Sequence, residues 1–404
     1  MRTLIRGVRV FDGERTVPVA DVLIDGDLIA EYDGGRVDVE LDGSGKTLLP
    51  GLIDAHTHIF DGDLAQALKF GVTTELDMFC LPSNLARQRR LAAERDDVAD
   101  VRSSGILATA PGGHPSQLMN TATMAHLGDA VGPFDTVAGP ALAEAFVEAR
   151  LAEGVDYLKI VIDSGEVAGT RLPVLAPATV AALVEAGHAA GLRAIAHAVT
   201  ARDTYVALDA GVDGLAHVVA DAGPGDSAAE ELAARIVSQN VFVVSTLTYF
   251  EAVTGGTGGA EPVRDERVGP LPPEHAKAAG DRDPGAVPVH PEGVSNALHA
   301  AGALHRAGAM LLAGTDANVW APLHGASMHR ELLLLTRAGL SAEQALASAT
   351  GAAARGFGLA DRGRVAPGLR ADLLLVDGDP TVDVTATRSI AEVWRRGVRQ
   401  ARPR

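Results

Sequence analysis

One cysteine, Cys80, stands among 404 residues. An intrachain disulfide is therefore excluded, and so is any zinc site built on several thiolates. Such scarcity suits a cytoplasmic chain, which is the expected location. Cys80 itself reads as a small buried filler. Positive charge is also short: 35 lysines and arginines face 52 aspartates and glutamates, a net charge of −17. Nucleic acid and anionic membranes are poor partners for such a chain. The acids are scattered rather than blocked, so most belong on solvated helix faces. No apolar run reaches the ~18 residues of a membrane span. The opening MRTLIRGVRVFDGERT lacks a continuous apolar stretch and a small-residue cleavage site. It reads as a first strand and not as an export signal. Neither G-x-S-x-G nor a Walker phosphate loop occurs, which removes two common catalytic signatures.

Apolar residues make up 47% of the chain, enough for a globular protein with a sizeable core. A punctuation pattern repeats along it. Ala-rich helical runs end at Gly, and a short apolar strand follows at once, as in FVEARLAEGVDYLKIVID and LVEAGHAAGLRAIAHAV. Gly suits that place because the residue after a helix often needs a left-handed backbone. Asn240 stands there in ELAARIVSQNVFVVSTLT, which the same rule allows. Eight strands can be counted: GLIDAHTHIF, GVTTELDMF, VRSSGILATA, VDYLKIVID, LRAIAHAV, DGLAHVVA, VFVVSTLT and AMLLAGTDA. Strands alternating with helices imply an α/β fold with a parallel sheet, and eight of them argue for a closed (β/α)8 TIM barrel. An open doubly wound sheet has the same periodicity. The two chain ends differ in style. Residues 1–49 and 362–404 hold short strand-like runs separated by turns, and are expected to pair into one small flanking β-sandwich domain beside a barrel at 50–361. The segment at about 251–294 is rich in Gly, Pro and charge. It reads as a lid over the carboxyl ends of the strands or as a loose decoration.

Parallel strands buried on both faces should be almost wholly apolar, so the polar residues inside them need a reason. His56 and His58 lie two apart in the first strand and project to one face, roughly 7 Å apart along it. Lys159 lies between Leu158 and Ile160 in the fourth strand. A buried lysine must be paired, deprotonated or modified. His197 and His217 come late in the fifth and sixth strands, and Asp316 closes the eighth. Each alone has a bland explanation, such as a capped core histidine or a helix N-cap. Together they place six ionisable groups from five strands at one end of the fold. Neutral imidazole and carboxylate are metal ligands.

The chain resembles the amidohydrolase superfamily, most closely its imidazolonepropionase-like and prolidase-like members. The matching pieces are GLIDAHTH, YLKI, AIAHA, LAHV and GTDA, followed by HGASMHRELLLLTRAGLSAEQALASATGAAARGFGL and DRGRVAPGLRADLLLVDGDP. They cover nearly the whole chain in the family's order. The resemblance implies that His56, His58 and Asp316 hold one divalent metal and that His197 and His217 hold a second. Lys159, carboxylated by CO2, would bridge the two as a carbamate. Imidazolonepropionases use one metal and lack that lysine, so a one-metal site with Lys159 as a plain amine is the alternative. Zinc suits these ligands; manganese, iron and cobalt share them. Two cations would bring a bridging water to hydroxide near neutral pH. Asp316 would move its proton to the leaving nitrogen.

The implied reaction is hydrolysis of an amide or other C–N bond in a small molecule: a dipeptide, an N-acyl amino acid or a cyclic amide. A lactonase or phosphotriesterase could use the same site. So could a non-hydrolytic relative, while a non-catalytic one should have lost ligands that are all present here. The resemblance also suggests substrate contacts at His114 in ATAPGGHPS and at the His324-Gly325 loop, and a homodimer. Two glycines before His114 would let the backbone approach a ligand. Tyr249 in STLTYF and Trp320 just past Asp316 are further candidates; either could equally be a packing residue.

Overall fold

The computed structural model describes residues 1–119, 125–167, 169–253, 292–319 and 322–401. Five strands open the chain: β1 (Arg2–Phe11), β2 (Thr16–Asp25), β3 (Leu28–Ala30), β4 (Val39–Asp42) and β5 (Lys46–Pro50). Eight follow in the middle: β6 (Leu52–Thr57), β7 (Val72–Asp77), β8 (Asp100–Ser103), β9 (Leu158–Val161), β10 (Ala194–His197), β11 (Gly214–Ala216), β12 (Phe242–Val244) and β13 (Leu311–Leu312). Three close it: β14 (Leu373–Asp377), β15 (Ile390–Arg395) and β16 (Val398–Arg399). The helices between the middle strands are α1 (Asp63–Lys69), α2 (Pro82–Glu94), α3 (Ala143–Glu153), α4 (Pro177–Ala189), α5 (Ala201–Ala210), α6 (Ala228–Ser238), α7 (Leu247–Val253) and α8 (Gly293–Ala307). After β13 come α9 (Ala326–Arg337), α10 (Ala342–Ser348) and α11 (Gly351–Phe357).

Each of the eight strands expected from the sequence is present. Those from β6 to β13 are buried along their lengths, except at Arg102. They pair in parallel as a three-stranded sheet, β6-β7-β8, and a five-stranded one, β13-β12-β11-β10-β9. Backbone contacts link the two. Ala108 N donates to the Lys159 carbonyl at 2.8 Å, Ala55 N to Ala313 O at 3.0 Å, and Asp316 N to His56 O at 2.8 Å. The segments following β8 and β13 thereby lie against β9 and β6. Helix ends follow the expected rule. Gly154 and Gly211 close α3 and α5 with φ of 75° and 81°, and Asn240 follows α6 at φ 56°.

The core lies in two layers around these strands. A cluster of Ile53, Leu76, Ile195, Val244 and Leu312 packs with Phe357 of α11. A larger one fills the space between strands and helices, with Leu158, Val180, Leu183, Leu208 and Leu232 among its members. Each such side chain contributes about 1.5–3 kcal/mol by leaving water. Cys80 is buried beside Asn84, as a filler would be, and burial raises its thiol pKa well above the usual value.

The chain ends share one sheet. β5 pairs with β1 in parallel and with β14 antiparallel, so the order runs β16-β15-β14-β5-β1-β2-β3, with β4 beside β1. Asp100 of β8 joins this sheet to the parallel ones. Arg370 donates to it at 3.0 Å, Arg395 lies 3.5 Å away, and Arg362 adds a third guanidinium. Burial opposes its ionisation, but these cations outweigh burial and hold the carboxyl below its ordinary range. Among the described residues, no helix is long and apolar enough to cross a membrane.

Candidate metal centre

Asp54 sets the frame of the site. Its Oδ1 accepts from His56 N at 3.2 Å and from Thr315 N at 2.9 Å, while Thr315 Oγ1 donates to Oδ2 at 2.6 Å. One buried carboxylate thus ties the strand carrying His56 and His58 to the turn carrying Asp316. Gly314 lets that turn come so close: a Cβ there would lie 2.4 Å from Val244 Cγ1 and 2.9 Å from His56 N. The register of β6 against β7 is irregular between Asp54 and Thr57. Such a bulge re-aims side chains, and His56 and His58 end with ring centroids 5.4 Å apart.

The six predicted ligands include a close group. Asp316 Oδ1 lies 3.4 Å from His56 Nε2 and 3.0 Å from His58 Nε2. One ligand atom from each of these three residues fits within 4.8 Å of the others. The His217 ring sits 4.8 Å from that of His56 and 4.5 Å from that of His197. Lys159 is 2% exposed, and its Nζ has no hydrogen-bond partner among the described residues. Burial pushes its pKa down to about 7, against the pull of Asp316. Burial likewise drives His197 down to about 3 and holds His56 and His217 well below the usual histidine value. Mutual repulsion within the group adds to the effect at His56 and His217. Neutral imidazoles are the form that binds metal.

The donor set fits divalent cations. Lys159 Nζ, His56 Nδ1 and His197 Nε2 are all buried without a hydrogen bond among the described residues. Leaving three such atoms dry and unpaired costs about 1–3 kcal/mol each. Imidazole nitrogens with a carboxylate are the ligands zinc and its neighbours take. The backbone is strained here as well. His217, Thr246 and Asp316 have φ of 79°, 47° and 58°, each at or just beyond the carboxyl end of a strand. Non-glycine residues in this region cost of order 1–3 kcal/mol and gather at functional sites.

Of the expected substrate contacts, two reach the edge of this group. The half-buried His114 has its ring 5.7 Å from that of His197, and Tyr249 lies 5.7 Å from His217. Gly113 serves the protein's own packing, since a Cβ there would lie 2.6 Å from the Pro173 carbonyl oxygen. Trp320 and most of the segment 251–294 lie outside the described residues. His324 is drawn elsewhere. It is 2% exposed, with Nδ1 2.7 Å from Glu75 Oε2 and Nε2 3.1 Å from Asp63 Oδ2. Both its nitrogens face carboxylates of the core rather than open space.

Burial opposes the charged form of His324, yet the two carboxylates prevail and raise its pKa well above the ordinary value. A raised folded pKa means stability present below the unfolded value of about 6.5 and lost as pH climbs through the folded one. His324→Gln is expected to lose about 3–5 kcal/mol at pH 6. That gap should narrow at alkaline pH. Urea melts of both proteins across the range check this, and a gap independent of pH would contradict it.

Sequence reading missed the supports of the site. Asp54 was visible as a charge inside an apolar strand. Thr246, 2.7 Å from His217 Nδ1, gave no such sign.

Comparison with known proteins bears on the fold and on the family. A solved Xaa-Pro dipeptidase with bound methionine superposes with a TM-score of 0.77 at 21% identity, over 99% of this chain and 100% of that one. A prolidase in complex with N-methylphosphonate-L-proline gives 0.75 at 22% identity, with both chains fully covered. At these identities the likeness establishes a shared fold. A dihydroorotase of Streptomyces coelicolor is 45% identical over 62 residues, a stretch that spans only 14% of this chain and 13% of that protein. The family assignment rests on a broader match, over residues 47–400, by which the chain belongs to the amidohydrolase family.

Proposed function

We propose that the protein is a two-metal hydrolase that cleaves an amide-type C–N bond in a small molecule, with dipeptides and N-acyl amino acids as the favoured class. The observation that carries this reading is Lys159: a buried amine with no hydrogen bond among the described residues, beside Asp316 and the imidazoles of His56, His197 and His217. His56, His58 and Asp316 would hold one ion, and His197 and His217 the other. Lys159, as its carbamate, would supply the shared anionic ligand. A neutral amine is the form that reacts with CO2, and burial favours that form. Two such ions supply a nucleophilic oxygen at neutral pH and polarise the carbonyl under attack. Asp316 accepts a proton at its carboxylate and delivers it to the departing nitrogen. His114 and Tyr249, at the rim, would meet the substrate. The names of the two solved relatives, a dipeptidase and a prolidase, support the substrate class.

In this reading β6–β13 close into a (β/α)8 barrel spanning 50–361, and the sheet made by 1–49 and 362–404 is a small flanking domain. Barrels of this kind carry their chemistry at the carboxyl ends of the strands, where His197, His217 and Asp316 lie.

The deciding experiment is elemental analysis of protein purified without added metal, followed by a mass-spectrometric screen of dipeptides, N-acyl amino acids, lactones and organophosphates. The expected result is two divalent ions per chain, with turnover confined to the amides and abolished by a chelator. Metal-free protein that still turns over, or turnover of lactones alone, would sink the assignment.

A further inference from the structure

His217 can serve as a ligand through Nε2 only if its proton rests on Nδ1. The structure contains a device for that, outside the predicted ligands. Thr246 Oγ1 lies 2.7 Å from His217 Nδ1. Thr246 is a β-branched residue at φ 47°, a conformation such side chains seldom adopt. Something must hold it there. Glu331 of α9, fully buried, grips the chain on both sides of it. Its Oε1 accepts from the Ser245 hydroxyl and from Leu247 N at 3.0 Å. Its Oε2 accepts from Thr248 N at 2.8 Å and from the Thr248 hydroxyl at 2.9 Å. Two backbone and two hydroxyl donors thus converge on one carboxylate, and Thr246 is the residue they enclose.

We propose that Glu331 and Thr246 are positioning residues: the Glu331 carboxylate locks the 245–248 turn so that Thr246 Oγ1 accepts a hydrogen bond from His217 Nδ1–H, leaving Nε2 bare toward a cation. The inference rests on the two-ion reading for its consequence and on the contacts of Thr246 and Glu331 for its geometry. A hydroxyl that instead donated to Nδ1 would leave the proton on Nε2 and block ligation there. Outer partners of metal-bound histidines typically change affinity by about 10–100-fold when removed.

The test uses the full-length chain. Ring-15N histidine labelling of the metal-free protein reports which His217 nitrogen is protonated, with His217→Gln assigning the signal. Nδ1–H is expected in the parent. Thr246→Val keeps the branched shape without the hydroxyl, and should shift the population toward Nε2–H. Zinc titration against a chromophoric chelator then reads the ions one by one. In Thr246→Val the second equivalent should bind about 10–100-fold more weakly and the first unchanged, with Thr246→Ser recovering most of the loss. Glu331→Gln should weaken the same equivalent. If that variant fails to fold, the Thr246 pair still decides. A parent His217 protonated at Nε2, or parental second-ion affinity in Thr246→Val, overturns the proposal. A parent that binds a single zinc overturns the two-ion reading instead, and the tautomer signal then decides this one alone.

Discussion

Asp316→Asn is expected to lower kcat by about 10²–10⁴-fold while leaving the fold in place. The substitution is unusually clean because of the backbone. Asp316 has φ 58°, and asparagine tolerates that region about as well as aspartate does. The Asn318 side chain donates to the backbone carbonyl of residue 316, not to its carboxylate, so this anchor survives. What is lost is a group that can take up and release a proton, 3.0 Å from His58 Nε2. An amide cannot do that. The check is kcat against a substrate from the screen, with thermal unfolding and metal content measured on the same sample. A parental melting temperature and parental metal content with collapsed kcat support the proton-transfer role, whereas a lost ion would show the carboxylate acting as a ligand. Near-parental kcat would remove Asp316 from the chemistry, and a collapsed fold would show the carboxylate to be structural.

The residues that could be read from the sequence share one property: they are ionisable groups in, or just past, short strands that are mostly apolar. His56, Lys159, His197 and His217 stood out as a set: each alone could be an ordinary core residue, but together they gather too many ionisable groups in strands expected to be apolar. Asn240 was legible because few residues end a helix in the left-handed region. The joining of the chain ends was visible only in outline, since nothing local to residues 46–50 names residues 373–377 as their partner. His324 shows the limit more sharply. The resemblance made this residue, in the His324-Gly325 loop, a candidate substrate contact. Its partners are 249 and 261 positions away in the chain, by the separation of Glu75 and of Asp63 from it. Only the folded chain shows that two carboxylates claim it. Thr246 and Glu331 were silent for a related reason. A threonine at a strand end and a glutamate in an amphipathic helix are what ordinary structure supplies, and their meaning comes from a left-handed turn that composition cannot announce.

Lys159→Met should separate stability from function in opposite directions. Methionine matches the lysine stem in length and brings no charge to a site 2% exposed. In the metal-free protein without CO2, the amine is a dry group with no hydrogen bond among the described residues, and removing it is expected to stabilise the fold by about 1–3 kcal/mol. The pH dependence has a defined sign. The folded pKa is about 7 against the ordinary lysine value of 10.5, so between those values the unfolded chain holds a proton that the folded one has shed. Parent stability then rises with pH across that window. The advantage of Lys159→Met should therefore be largest at and below pH 7 and shrink toward pH 10. Catalysis goes the other way: with the shared ligand gone, the variant should retain at most one ion and lose most of its turnover. Urea melts of metal-free parent and variant at several pH values, beside zinc content and kcat, measure each part. A variant less stable than its parent at pH 7 would mean that Lys159 has a partner in solution, and with it the case for a carbamate between two cations would fall.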